Sequence, residues 1–126
     1  GPPGSGKSGL ALALIDRGAV LVGDDGVSLT ARSGQLLASP PPRIAGLIEV
    51  RNVGLVTMPT LAEVPVALVL RLDGEAPRFI DQADAREIAG IALPLIRLWP
   101  DGGGLVLKAE LALARWGLSF SSAPAP

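Results

Sequence analysis

The run GPPGSGKS, Gly1 to Ser8, concentrates residue types that bind phosphate. Gly1, Gly6, Lys7 and Ser8 keep the G-x-x-x-x-G-K-[ST] spacing of a P-loop (Walker A), with Gly4 and Ser5 inside it. The chain has two lysines, Lys7 and Lys108, and one of them stands where glycine lets the backbone approach an anion. In such a loop successive backbone N–H groups converge on phosphate oxygens, and the following helix adds its positive end. Lys7 then bridges the β- and γ-phosphates of a bound nucleotide, and the Ser8 hydroxyl joins a magnesium shell. A Gly/Pro turn before an amphipathic helix is the plainer reading. It does not explain why a helix starts where the loop requires one.

Three further sets of polar residues bear on chemistry. Asp24 and Asp25 end an apolar run, which puts two carboxylates at the rim of a sheet. Alone they read as a solvated Asp-Asp-Gly turn. Beside a phosphate loop they supply what phosphoryl transfer needs, a proton acceptor and oxygen ligands for magnesium. Glu49 and Arg51 stand at i, i+2, on one face of a strand, which makes that face either an exposed salt-bridged surface or a functional one. Arg78 follows Pro77 in a turn, an ordinary place for a solvated arginine.

The elements that hold these residues follow from patterning. Residues 6 to about 17 read as a helix, with Leu10, Leu14, Ala11 and Ile15 as a core-facing stripe and Gly18 as its stop. Ala19 to Gly23 reads as a short buried strand. GVSLTARSGQLLAS reads as a hairpin turning at Ser33-Gly34, and Pro40 to Pro42 as an extended connector. In GLIEVRNVGLV, Leu47, Val50 and Val53 suggest burial. Val64 to Leu72 reads as the clearest strand, DGEAPR as a turn, and Asp81 to Ala89 as a short helix. IALPLIRL reads as a strand in which Pro94 calls for an edge or a bulge, and Asp101 to Gly104 as a turn. LVLKAELALARWGL starts ambiguously and ends helical. The mixed order points to α/β or α+β. Residues 1–118 form one domain, and 119–126 a tail with no reason to be ordered.

Composition limits the chemistry. The chain has 126 residues, 48% apolar and 18% charged, so it can bury one core. A net charge of -1 without a basic block argues against nucleic acid as the main partner. There is no cysteine and no histidine, which leaves acid–base work to carboxylates, lysine or water. No apolar run approaches a membrane span, and no signal peptide is visible, so the reading is of a cytoplasmic protein. A phosphate loop normally follows a buried strand, and nothing precedes Gly1, so the sequence reads as a fragment cut upstream.

The order GPPGSGKSGLALALIDRG, LVGDDGVSL, PPRIAGLIEVRNVGLV and PVALVLRL resembles HPr kinase/phosphorylase, most of all its short form lacking the N-terminal domain. The resemblance runs from Gly1 to about Leu72 and continues weakly to Leu118. DD followed by GLIEVR is its specific part. It implies an ATP- and Mg²⁺-dependent kinase acting on a serine of the phosphocarrier HPr, able also to run the reverse phosphorolysis. It further implies an α/β fold, a mixed sheet carrying the P-loop and similar to the phosphoenolpyruvate carboxykinase type, and a homo-oligomer, often a hexamer. By position, Lys7 and Ser8 match the loop lysine and the magnesium-binding serine. Asp25 matches the proton acceptor, Glu49 a magnesium ligand, Arg51 the same signature, and Arg78 an arginine of the catalytic site; Asp24, the other half of the acid pair, reads as a further magnesium ligand. The chain departs from the family pattern in four places, the first being the absence of the strand that leads into the loop. It has no histidine upstream of the loop. Asn52 stands where the signature usually has glycine, and Pro100 to Gly104 lacks the basic residues tied to dephosphorylation. A different P-loop small-molecule kinase or nucleotide hydrolase, or a non-catalytic nucleotide-sensing relative, are the competing readings.

Overall fold

The computed structural model describes residues 1–43, 45–100 and 103–120. The order is α1 (Lys7–Asp16), β1 (Ser28–Arg32), β2 (Gln35–Ser39), β3 (Leu47–Val50), β4 (Gly54–Thr57), β5 (Val64–Pro65), β6 (Val69–Leu72), β7 (Asp84–Ile88), β8 (Ile91–Leu98) and α2 (Leu105–Trp116). This is a mixed α/β fold. Its strands form three small sheets, where the sequence suggested one: β1-β2-β5, β3-β4 and β6-β8-β7. Only the last mixes parallel and antiparallel pairs. Leu36, Ile48 and Leu93 are the largest fully buried side chains, one from each sheet. Each contributes about 1.5–3 kcal/mol by burial.

Local chemistry explains the elements that match expectation. α1 starts at Lys7 after Gly6, whose φ of 98° is costly for any side-chain-bearing residue. It closes with the Gly18 N–H on the Ile15 carbonyl and the Ala19 N–H on the Leu14 carbonyl, a Schellman pair. The β1–β2 hairpin turns at Ser33-Gly34, both left-handed, which suits the twist of a two-residue loop. The expected apolar stripe of α1 is not one-sided, because residues 10 to 15 are all half-buried.

Several expectations are corrected. Ala19 to Gly23 is not a strand: only Leu21 finds a ladder partner, a single bridge to Thr60. Val64 to Leu72 is two strands, because the chain leaves β2 after the Val66 N–H bonds the Leu36 carbonyl and joins β8 from Val69 onward. Leu47 and Val53 are exposed, and Ile48 takes the buried face of β3. Asp81 to Ala89 is not a helix. Asp84 to Ile88 pairs antiparallel with β8 through a tight Ala89-Gly90 turn, both residues at positive φ. α2 is helical from Leu105, with Ala109 and Ala112 buried and the helix packed on β8 and α1.

Pro94 lies in the central strand of its sheet, contrary to the edge or bulge expected, and the register shows why. The closing pair of the β7–β8 hairpin, Ile88 and Ile91, is hydrogen-bonded, so the alternation places Ala85 and Pro94 at a non-hydrogen-bonded position. The Pro94 nitrogen therefore faces the β6 side, where pairing begins only at Leu95. No ladder donor is lost there. Of the expected Asp101–Gly104 turn, Asp101 and Gly102 lie outside the described residues, and so do residues 121–126 of the expected tail.

Candidate functional site

Gly6 to Gly9 form the floor of a cleft of about 510 Å³. No side chain caps the start of α1, and its first turn holds no acidic residue. The first helical backbone bond runs from the Leu10 N–H to the Gly6 carbonyl, which leaves the Lys7, Ser8 and Gly9 amides outside the helical ladder. Uncapped amides and the helix dipole make this end a seat for an anion. The Lys7 ammonium is folded back across the loop and donates to the Gly1 carbonyl at 2.7 Å. It thus stays at the cleft wall, in reach of anything seated on the amides.

The opposite wall is acidic. Asp24, Asp25 and Glu49 line the same cleft, with Pro3, Gly4, Leu12, Val50 and Arg51. The half-buried Asp24 accepts from the Ser8 hydroxyl at 2.7 Å and from the Glu49 N–H at 3.1 Å. Asp25 is exposed and takes φ 60°, in the left-handed region that Asp tolerates better than most residues. Strain of this kind collects where a side chain has to be aimed. A tight turn forces it. A Cβ on Gly23 would collide with the Gly26 carbonyl oxygen, so only glycine lets the chain close around the acid pair.

Glu49 and Arg51 come from the β3–β4 hairpin. Ile48, fully buried, anchors that hairpin while its neighbours face outward. Asn52 sits in the turn at φ 69°, a conformation that asparagine adopts more readily than other side-chain-bearing residues.

Among the candidate residues, the cleft thus gathers Gly4, Gly6, Lys7, Ser8, Asp24, Asp25, Glu49 and Arg51. Gly1 and Ser5 belong to the loop but do not line the cleft. Ser5 Oγ is buried without a partner, and a Cβ on Gly1 would come within 2.6 Å of it. Arg78, exposed between β6 and β7, does not line the cleft. Gly23, Leu12 and Val50 were not legible as site residues: nothing in their types signals chemistry, and only the turn and the packing bring them in. The donors facing the cleft are oxygens, which suits a hard cation beside an anion. Among the described residues no three acidic side chains gather into a metal cage. A cation here would therefore share its shell with an anionic ligand and water, as magnesium usually does.

The model of the HPr Serine kinase C-terminal domain matches residues 1–63, which include every residue lining the cleft. The Hpr(Ser) kinase/phosphatase of Coxiella burnetii has a similar solved structure, with a TM-score of 0.76 over 90% of this chain and 77% of that one, at 30% identity. The chain belongs to the HPr kinase/phosphorylase family. The HPr kinase/phosphorylase of Limosilactobacillus reuteri is 34% identical across 76% of this chain and 34% of its own length. That of Cupriavidus necator is 31% identical across 90% of this chain and 39% of its own. The chain thus spans a little over a third of the length of these two curated family members. The family match spans the glycine loop, the acid pair and the β3–β4 hairpin, and the Coxiella likeness extends the shared fold over most of the chain.

Proposed function

We propose that this chain carries the catalytic site of a cytoplasmic, ATP-dependent kinase that phosphorylates a serine of HPr. One observation carries the reading. The uncapped start of α1, with Lys7 and Ser8, faces Asp24 and Asp25 across a single cleft. The fold then works as a P-loop on the phosphoenolpyruvate carboxykinase pattern, with the triphosphate on the amides of residues 6 to 9 and Lys7 exchanging the Gly1 carbonyl for phosphate oxygen.

Ser8 and Glu49 would hold a Mg²⁺ ion, with Asp24 at its edge. When bound, that ion neutralises charge on the β- and γ-phosphates. The exposed Asp25 carboxylate takes the proton of the incoming serine hydroxyl. The serine oxygen bonds the γ-phosphorus as the bond from that phosphorus to the β–γ bridging oxygen breaks, and ADP leaves with the electron pair. Arg51 stands at the cleft wall to meet charge on the moving phosphoryl group. Arg78 acts only if the loop between β6 and β7 brings it to the incoming protein. Most of the rate gain comes from placement and charge compensation.

The test is transfer of label from γ-labelled ATP to HPr by the purified protein. Phosphoserine on HPr is the expected product. Nucleotide bound and hydrolysed with HPr unmodified would assign the cleft to another phosphotransfer reaction.

A further inference from the structure

The loop between β6 and β7 is tied down by Arg97, Leu98 and Trp99, at the end of β8 and just beyond it. The Asp73 N–H donates to the Leu98 carbonyl at 2.9 Å. Arg97 reaches a carboxylate at each end of the loop, Asp73 at 4.0 Å and Asp84 at 3.4 Å. The Trp99 indole N–H donates to the Ala76 carbonyl at 2.6 Å. Ala76 is buried, so its carbonyl needs a partner from the protein. Inside the tied stretch the Glu75 N–H bonds the Asp73 carboxylate, and the Ala76 N–H bonds the Asp73 carbonyl. Lys108 of α2 stands 5.7 Å from the centre of the Trp99 ring, a cation–π contact that steadies the indole.

Past Ala76 the chain turns outward. Pro77 fixes its own φ, and Arg78 and Phe79 stand in solvent. Phe79 is 78% exposed, more than any other large apolar side chain among the described residues. Aromatic rings and guanidinium groups are what the centres of protein interfaces favour. A loop ordered before contact loses little entropy on contact. It also leaves the sheet beside the site. A Cβ on Gly1 would lie 3.3 Å from Leu72 Cβ and 3.4 Å from the Leu72 carbonyl oxygen, so the loop begins next to the first residue of the glycine loop. β6 and β8 are parallel, and the loop and Trp99 lie beyond their carboxyl ends, where such sheets bind ligands.

We propose that Trp99 is a positioning residue that holds the β6–β7 loop in shape, and that Phe79 at its tip anchors the protein that receives the phosphate. The partner it fits presents an apolar hollow near its serine, with a carboxylate at the edge for Arg78. The anchor arm rests on the phosphotransfer reading; the Trp99 arm does not.

Two variants separate the arms. Trp99→Phe keeps a ring beside Lys108 and removes the N–H. The Glu75 and Ala76 amides should then exchange hydrogen about tenfold faster. The Val66 and Met58 amides, bonded to the Leu36 and Gly46 carbonyls, stay protected and report the intact fold. Phe79→Ala should raise KM for HPr about tenfold, with the loss on KM rather than on kcat. Trp99→Phe should raise the same KM at least about threefold. On a Phe79→Ala background it should add less than about twofold, because its effect passes through the tip.

Unchanged Glu75 and Ala76 exchange in a folded Trp99→Phe protein would overturn the Trp99 arm. An unchanged KM for HPr in Phe79→Ala, or a loss confined to kcat, would overturn the anchor. If Trp99→Phe does not fold, Phe79→Ala, a change at an exposed tip, decides. If the wild-type protein transfers no phosphate to HPr, the phosphotransfer reading falls and the anchor with it, and the exchange measurement still decides whether Trp99 holds the loop.

Discussion

Gly23→Ala tests whether the acid pair is placed by a turn that only glycine can close. A Cβ at this position would run into the Gly26 carbonyl oxygen, with Val27 Cγ1 at 3.0 Å and Pro41 Cδ at 3.3 Å. A backbone oxygen cannot rotate out of the way, so the turn from Gly23 to Gly26 must open by about 1 Å, at a cost of about 1–3 kcal/mol for overpacking. The Ser8–Asp24 bond is 2.7 Å long, and a displacement of about 1 Å takes it out of hydrogen-bonding range. A misplacement of that size at a catalytic group costs roughly 100-fold in rate. Thermal unfolding should show Tm lower by roughly 5–10 °C. Phosphoryl transfer to HPr, assayed below the new Tm, should fall about 100-fold. A variant with Tm within about 1 °C of the parent and undiminished transfer would refute the reasoning, because the turn would then have room for a side chain.

Three further outcomes follow from the same geometry. Asp25→Asn keeps the size of the side chain but not its basicity, so transfer to HPr should fall by roughly 10²–10⁴ while Mg²⁺–ATP affinity in calorimetry stays within about twofold. Asn52→Gly should leave urea-unfolding stability within about 0.5 kcal/mol, since glycine gains at φ 69° what it loses in the unfolded chain. Asn52→Val at the same position should cost about 1–2 kcal/mol. Ile48→Ala removes the fully buried anchor of the β3–β4 hairpin and should lower stability by about 2–5 kcal/mol in the same measurement.

The parts of this structure that were legible in the sequence are those fixed by local chemistry. The glycine spacing set the start of α1, Gly18 its end, and Ser33-Gly34 the first hairpin, because each depends on backbone conformations that few residues accept. The cleft residues followed from residue type: Lys7, Ser8, Asp24, Asp25, Glu49 and Arg51 all line it. Features set by distant partners were not legible. Asp84 to Ile88 is exposed at its first four positions and rich in residues that suit helices, so only its pairing with β8 makes it a strand. Val64 to Leu72 is apolar but for Arg71, and the handover from one sheet to another at Val66 leaves no mark in its composition. Pro94 called for an edge or a bulge, and nothing in the sequence shows that the pairing of β8 with β6 begins only at Leu95, one residue beyond it. The bond from the Glu49 amide to Asp24 was equally hidden, because a backbone donor has no residue type to read.

The central claim is that the amides at the start of α1, with Lys7 and Ser8, seat the phosphates of a magnesium nucleotide. Isothermal titration of the wild-type protein and of Lys7→Ala with ATP, with and without Mg²⁺, tests it most directly. The account predicts one Mg²⁺-dependent site in the wild-type protein, weakened at least about tenfold in Lys7→Ala. Binding that ignores both the lysine and the metal, or no binding to a folded wild-type protein, would contradict it.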